Sequence, residues 1–280
     1  MFTHLDHLIV AVDDLEAAAK NYQKLFGMTP VWSGEHKELG TSNALFAFKN
    51  TYFELLSATG EGLGADLVNH YLNQSGEGLI GIVFATDDIK KAKSSLEEQG
   101  FNMPDISSGE GINSSDQQVR RWKNLFLPPE LSRGLFSFII EHTEGALPSP
   151  MAYEPSSPHS LDHVVINTND ADSFIDIYKD AFGIRLALDK TIEHWKKRML
   201  FFRLSKTTIE VIEEQNDQET ADTLWGLAWN VASIEETHKR LLGEGVDITP
   251  IKKGIKDKTL VATINSHTHN VPTLLIEHLD

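Results

Sequence analysis

The chain has 280 residues, enough for about two domains of ordinary size, with 40% hydrophobic and 24% charged residues as in globular proteins at large. The net charge of −16, spread over the whole length, repels phosphate backbones and anionic lipid, so nucleic acid and membranes are poor partners. With no cysteine there is no disulfide framework, thiolate nucleophile or cysteine-bound zinc, which fits a reducing cytoplasm.

The first residues run directly into a β-branched strand, Leu5 to Val10, with no basic targeting segment ahead of it. No apolar run approaches the roughly 18 residues a membrane span needs, so a soluble cytoplasmic protein is expected. Asp13-Asp14 then offers a helix N-cap, the spacing predicts a helix over Leu15 to Phe26, and Gly27 stands where a left-handed C-cap belongs. A loop-rich stretch holding Gly34-Glu35-His36 and Gly40-Thr41-Ser42-Asn43 leads to a strand, Thr51 to Leu56. The glycine-dense segment from Gly60 to Gly78 is read as a bridge to a second unit of the same kind. That unit has a strand at Gly81 to Ala85, a helix after Asp87-Asp88 ending at Gly100, and a last strand at Phe136 to Glu141.

The chain then repeats itself. Leu161-Asp162-His163 restates Leu5-Asp6-His7, and Tyr178, Phe182 and Gly183 restate Tyr22, Phe26 and Gly27 at the same spacing. Glu210, in Thr207 to Ile212, stands to Glu54 at that spacing too. A fixed offset through strand, helix and distant strand is a duplication. A weaker fourth unit runs from Gly226-Leu227-Ala228, through a helix after Ser233, to Thr273 to Glu277. The two halves close on matching strings, Ile139-Ile140-Glu141-His142 and Leu275-Ile276-Glu277-His278. The fold class is α+β, with four tandem βαβββ modules at 2–58, 77–143, 161–214 and 223–279. A single module leaves a sheet edge and an apolar face bare, so the modules are expected to pair into two curved-sheet domains, 1–146 and 161–280. Residues 147–160, rich in Pro and Ser, read as the linker between them.

A paired βαβββ arrangement with Asp-His opening the first strand and an acid on the fourth resembles the vicinal oxygen chelate superfamily. The N-terminal half is similar to its glyoxalase-like domain family, through Asp6-His7-Leu8-Ile9-Val10, Gly34-Glu35-His36, Gly40 to Leu45, Tyr52 to Leu56 and Arg121-Trp122. The C-terminal half matches at module level, lacks the Gly-Thr-Ser-Asn segment, and has Glu193-His194 where Glu35-His36 stands.

The resemblance implies a divalent ion, Zn, Mn, Ni, Fe or Mg, held by His and carboxylate on first and fourth strands and chelating neighbouring substrate oxygens. Projected here, the four ligand positions are His7, Glu54, Gly81 and Glu141, with a second, weaker site at His163, Glu210, Gly226 and Glu277. Glycine supplies no ligand, so at most His7, Glu54 and Glu141 remain, or His163, Glu210 and Glu277. Strand neighbours face opposite sides, and whether Glu141 or His142, and Glu277 or His278, faces the cavity stays open. His36 is the candidate acid–base, or a loop His bonding its own turn. Thr41, Asn43 and Trp122 are candidate contacts to a small-molecule substrate. Two functional classes remain: a metal-dependent isomerase, lyase or dioxygenase, favoured by the fuller N-terminal motif set, and a metal-free binding protein, favoured by the two glycines. Modules can pair within each half or between the chains of a homodimer, and the sequence leaves this open.

Overall fold

The computed structural model describes residues 1–149, 152–193, 195–214 and 222–279. Strand β1 (His4–Ala11) leads into α1 (Leu15–Phe26), whose cap is as predicted. The Asp14 side chain accepts the Ala17 N–H, and Gly27 takes φ 63°, a conformation that an L-side chain resists. Then come β2 (Trp32–His36), a single 3₁₀ turn, β3 (Thr41–Ala47) and β4 (Tyr52–Ala58). The Gly60 to Gly78 segment is not a plain bridge. It contains a helix, α2 (Leu63–Ser75), which buries Ala65 and Val68. Its apolar residues recur at helical spacing, but the flanking glycines mask the pattern.

The second module is β5 (Gly78–Ala85), α3 (Ile89–Glu98), β6 (Ser107–Asn113), β7 (Val119–Phe126), a short α4 (Pro129–Ser132) and β8 (Phe136–Glu144). The third is β9 (Pro158–Thr168), α5 (Ala171–Ile175) continued by π-helical turns to Ala181, β10 (Arg185–Ile192), β11 (Lys197–Leu204) and β12 (Thr207–Glu213). The fourth is β13 (Thr223–Val231), α6 (Ile234–Gly243), β14 (Lys252–Lys253), β15 (Thr259–Ile264) and β16 (Thr273–His278). The predicted α+β class and the four βαβββ modules are therefore present. Strand β9 begins at Pro158, so strand structure starts inside the segment read as linker.

Each half follows one strand order. The first module pairs β1 parallel to β4, the second pairs β5 parallel to β8, and β1 and β5 join the two antiparallel. In the N-terminal half β2 also meets β6, through Gly34 opposite Asn113 and Glu35 opposite Ile112, and the sheet closes into an eight-stranded barrel. In the C-terminal half the corresponding edge strands, β10 and β14, do not meet; β14 is two residues long and the sheet stays open.

The convex faces of both sheets and their helices share one apolar core. Phe26 and Phe48 of the first half pack on Trp229 of the second, at centroid distances of 5.2 and 4.2 Å. A second cluster lies on the concave side of the barrel, where Val68 of α2 meets Ile9, Ala11, Leu56, Ile80 and Val83. Helix α2 thus plugs the end of the barrel at which β1 and β4 finish. The His7 end, where these strands begin, is built differently.

Candidate active site

Successive residues of a regular strand face opposite sides, yet Asp6 and His7 are both buried, at 4% and 3% exposure. The cause is a β-bulge. Across β1 and β5, Leu5 faces Phe84 and His7 faces Val83, leaving Asp6 as the extra residue. The irregularity turns the carboxylate towards its neighbour, so His7 Nδ1 lies 2.6 Å from Asp6 Oδ1. A second irregularity, between Arg121 and Trp122 on β7, sets Trp122 opposite His142 of β8. His142 Nε2 then reaches Asp6 Oδ2 at 3.0 Å. Of the strand neighbours left open by the sequence, His142 is the one that meets this cluster.

On the other side of the ring, His7 Nε2 lies 3.3 Å from Glu54 Oε2. Asn43 Nδ2 donates to Glu54 Oε1 at 2.7 Å and lies 3.5 Å from His36 Nε2. His36 Nδ1 meets Thr41 Oγ1 at 3.0 Å. Tyr52 stacks on the His7 ring at 4.4 Å, and Trp122 meets His36 edge to face at 5.9 Å. The Trp122 indole lies over Gly109 of β6, where a Cβ would come within 2.3 Å of its Nε1. His36, Thr41 and Ser42 also border a surface cleft of about 350 Å³ that runs to Thr59. Of the residues expected from sequence, the structure gathers His7, Glu54, Asn43, His36, Thr41 and Trp122 in one place.

Glu141 is not among them. Its Oε2 accepts the Ile89 N–H at 2.8 Å, at the start of α3, and Lys123 lies 3.6 Å from Oε1. Glu277 does the same for Ile234 of α6 at 2.7 Å. Both glutamates neutralise helix N-termini on the convex side, so neither completes the ligand sets projected for them. Strand register shows where the projection slipped. Ile9 faces Glu54 across β1 and β4, and the matching pair across β5 and β8 is Val83 with Phe138. The fourth position is thus Phe138, whose ring stands edge-on to His7 at 5.9 Å. In the C-terminal half Val165 faces Glu210 and Ala228 faces Leu274, so that position is Leu274.

The C-terminal half copies part of the cluster. His163 Nδ1 lies 2.8 Å from Asp162, His278 Nε2 lies 2.7 Å from Asp162, and His163 Nε2 stands 3.8 Å from Glu210. The partner set stops there. The register position of Asn43, opposite Leu56, is taken by Met199, opposite Ile212. His194, the expected counterpart of His36, lies outside the described residues.

Electrostatics separate His7 from His36. Burial opposes charge on His7, but its bonds to Asp6 and Glu54 win, and its pKa is raised. Burial likewise opposes charge on Glu54, yet His7 and Asn43 hold its pKa below the usual value. His36 has no carboxylate bonded to it; burial dominates and its pKa is lowered. Folding thus favours the ionised forms of Asp6, His7 and Glu54 and the neutral form of His36. One cluster thus presents a proton donor and a proton acceptor.

Two family models match the chain: one described as a glyoxalase-like domain, over residues 5–182, and one as the glyoxalase, bleomycin resistance protein and dioxygenase superfamily, over residues 160–263. The chain belongs to the glyoxalase-like domain family. An ethylmalonyl-CoA/methylmalonyl-CoA epimerase of Cereibacter sphaeroides is 30% identical over 110 residues, covering 39% of this chain and 79% of the epimerase. A mutant 4-hydroxymandelate synthase from Streptomyces coelicolor superposes with a TM-score of 0.68 at 14% identity, over 99% of this chain and 92% of that one. The Mn(II)-bound glyoxalase of Novosphingobium aromaticivorans gives 0.66 at 16%, over 100% and 83%. These two likenesses show the fold. At the superfamily level this glyoxalase-like chain keeps the company of enzymes that act on small molecules, and no helix among its described residues is long and apolar enough to cross a membrane.

The donor set falls short of the expected three-ligand metal site. His7 Nε2 and Glu54 Oε2 converge, and Asp6 behind His7 is the outer partner such a ligand usually has. The two remaining positions, however, hold Gly81 and Phe138. Among the described residues no three His, Asp or Glu side chains are placed to share an ion. The three-ligand set His7, Glu54 and Glu141 is not assembled.

Proposed function

We propose that this glyoxalase-like protein is an isomerase-type enzyme, moving a proton on a small substrate with vicinal oxygens, and that its N-terminal barrel is the working half. The observation that carries this reading is the run Asp6–His7–Glu54–Asn43–His36, in which two imidazoles shifted in opposite directions stand on either side of one Glu–Asn pair. His36, bordering the surface cleft, takes the proton from the carbon beside a substrate carbonyl and returns it either to that carbon or, as the hydroxyl proton passes to the former carbonyl oxygen, to the neighbouring carbon. The His7 imidazolium, held between two carboxylates, fixes Glu54 and, through Asn43, the ring of His36. Deuterium uptake from D₂O into hydroxy ketones, 2-oxo acids and hemithioacetals, followed by proton NMR, tests this. Exchange in one of these classes, lost in His36→Gln, is expected. No exchange in any class would sink the reading.

A second reading, a divalent-metal-dependent enzyme of the same class, is favoured by the convergence of His7 and Glu54 within 3.3 Å. It predicts stoichiometric metal after loading with Mn, Ni, Fe or Zn, lost in His7→Ala. The domain division at 1–146 and 161–280 belongs to the same proposal, which places the chemistry in the first and a supporting role in the second.

A further inference from the structure

Arg120, the second residue of β7, lies opposite Gly111 of β6 and is only 5% exposed. A guanidinium taken out of water requires partners, because desolvating its charge is costly unless an anion or hydrogen-bond acceptors replace the water. Arg120 has neither. Its side chain makes no hydrogen bond or ion pair with any described residue, and its Nε is fully enclosed without an acceptor. What holds it is aromatic: the guanidinium carbon lies 5.4 Å from the Trp32 ring and 5.6 Å from the Tyr52 ring, the same Tyr52 that stacks on His7. Such faces orient a cation and offset part of its desolvation, but they do not fill its donors.

A second group near Trp32 is unpartnered in the opposite sense. Asn43 spends its Nδ2 on Glu54, which leaves its carbonyl Oδ1 buried with no donor. That oxygen and Trp32 Nε1 border the same point above Gly34, 3.3 and 2.5 Å from where a Cβ would be. A buried donor without an acceptor and a buried acceptor without a donor thus flank one indole, beside the cluster assigned above to proton transfer. Unmade hydrogen bonds of this kind are uncommon in native interiors and point to a missing group.

We infer that Arg120 receives the carboxylate, and the Asn43 carbonyl the neighbouring hydroxyl, of a small 2-hydroxycarboxylate bound in the barrel. The inference rests on reading the barrel as the small-molecule site, and it narrows the substrate with vicinal oxygens to an anionic one. Planar two-point recognition of a carboxylate is what a guanidinium does better than an ammonium.

The probe is L-lactate, with lactamide as its uncharged twin and propionate as the twin lacking the hydroxyl. Binding is read from the Arg side-chain Nε–H and Trp indole signals of ¹⁵N-labelled protein and from the melting temperature. L-Lactate is expected to shift the Arg120 and Trp32 signals saturably and to bind at least tenfold more tightly than lactamide or propionate. Arg120→Gln is expected to lose this binding. Equal affinity for lactamide, or unchanged lactate binding in Arg120→Gln, would overturn the role of Arg120. Equal affinity for propionate would overturn that of Asn43. Should the variant misfold, the three ligands compared on the native protein still decide. Because binding is read without turnover, lactate binding without deuterium exchange defeats the proposed reaction alone, and exchange without lactate binding defeats this inference alone.

Discussion

Asp6 joins His7 of its own strand to His142 of β8, at 2.6 and 3.0 Å, and so ties the first module of the barrel to the second. Asp162 makes the same tie between His163 and His278. Replacing Asp6 by Asn leaves a buried imidazolium facing one carboxylate instead of two. A loss of about 3 kcal/mol is expected, in the range found when one partner of a buried charged pair is removed. Urea denaturation measures it, and an imidazole titration by NMR should show the His7 pKa falling.

The stabilisation contributed by the Asp6 cluster should peak in mildly acidic solution. The pKa values of Asp6 and Glu54 are lowered by folding from 3.8 and 4.5, so their contribution is present above those values and lost as pH falls through the folded ones. Folding raises the His7 pKa from 6.5, so its contribution is full below 6.5 and disappears as pH rises through the folded value. Asp162 and His163 shift in the same directions. His36, whose pKa folding lowers, works the other way below 6.5, so it is the difference in melting temperature between the native protein and Asp6→Asn, followed from pH 3 to 9, that should be largest between roughly 4.5 and 6.5. A difference rising steadily to pH 8 would contradict the assignment.

Glu141 and Glu277 are expected to behave as helix caps. Replacing either by Ala should cost about 1 kcal/mol, the usual worth of a cap, and replacing it by Gln less, because the amide oxygen still accepts the Ile89 or Ile234 N–H. Neither change should alter ligand binding or metal content. A Glu141→Gln protein with full stability but altered ligand affinity would return this residue to the site.

The two halves should unfold together. Arg133, in the turn before β8, bonds Asp222 through Nε at 2.7 Å, with both side chains buried, and reaches the Asp170 carbonyl at 3.1 Å. With the shared core, this pair makes the inter-half contact part of the folding unit. Arg133→Met, which leaves Asp222 buried and unpaired, should cost about 3–5 kcal/mol. Circular dichroism and Trp fluorescence should follow one denaturation curve, with Arg133→Met,Asp222→Asn recovering part of the loss.

Several site residues are legible in the primary structure because their types are unusual in their surroundings. Asp6-His7 opens an apolar strand, Glu54 interrupts Phe53 and Leu55, and both recur in the second half as Asp162-His163 and Glu210. Arg120 was within reach of the same logic, since it alternates with Trp122 along β7, but an alternating pattern does not show that a cation lacks its anion. Helix α2 was hidden because glycines on both sides lowered the apparent helical signal of Leu63 to Ser75.

The chain's own letters determine the four modules and their duplication, since these follow from local periodicity, caps and turn residues repeated at constant spacing. They also nominate His7, Glu54, Asn43 and His36. What the tertiary structure alone decided is which neighbour faces inward. The bulge at Asp6 and the irregular pairing of β7 with β8 send Asp6 and His142 to the site and leave Glu141 outside. Phe138 takes the fourth position, and the contact of β2 with β6 closes one sheet where its copy stays open. These outcomes depend on one-residue shifts between strands distant in sequence. The energy that selects such a shift lies in contacts across the whole barrel, and no local stretch of sequence contains it.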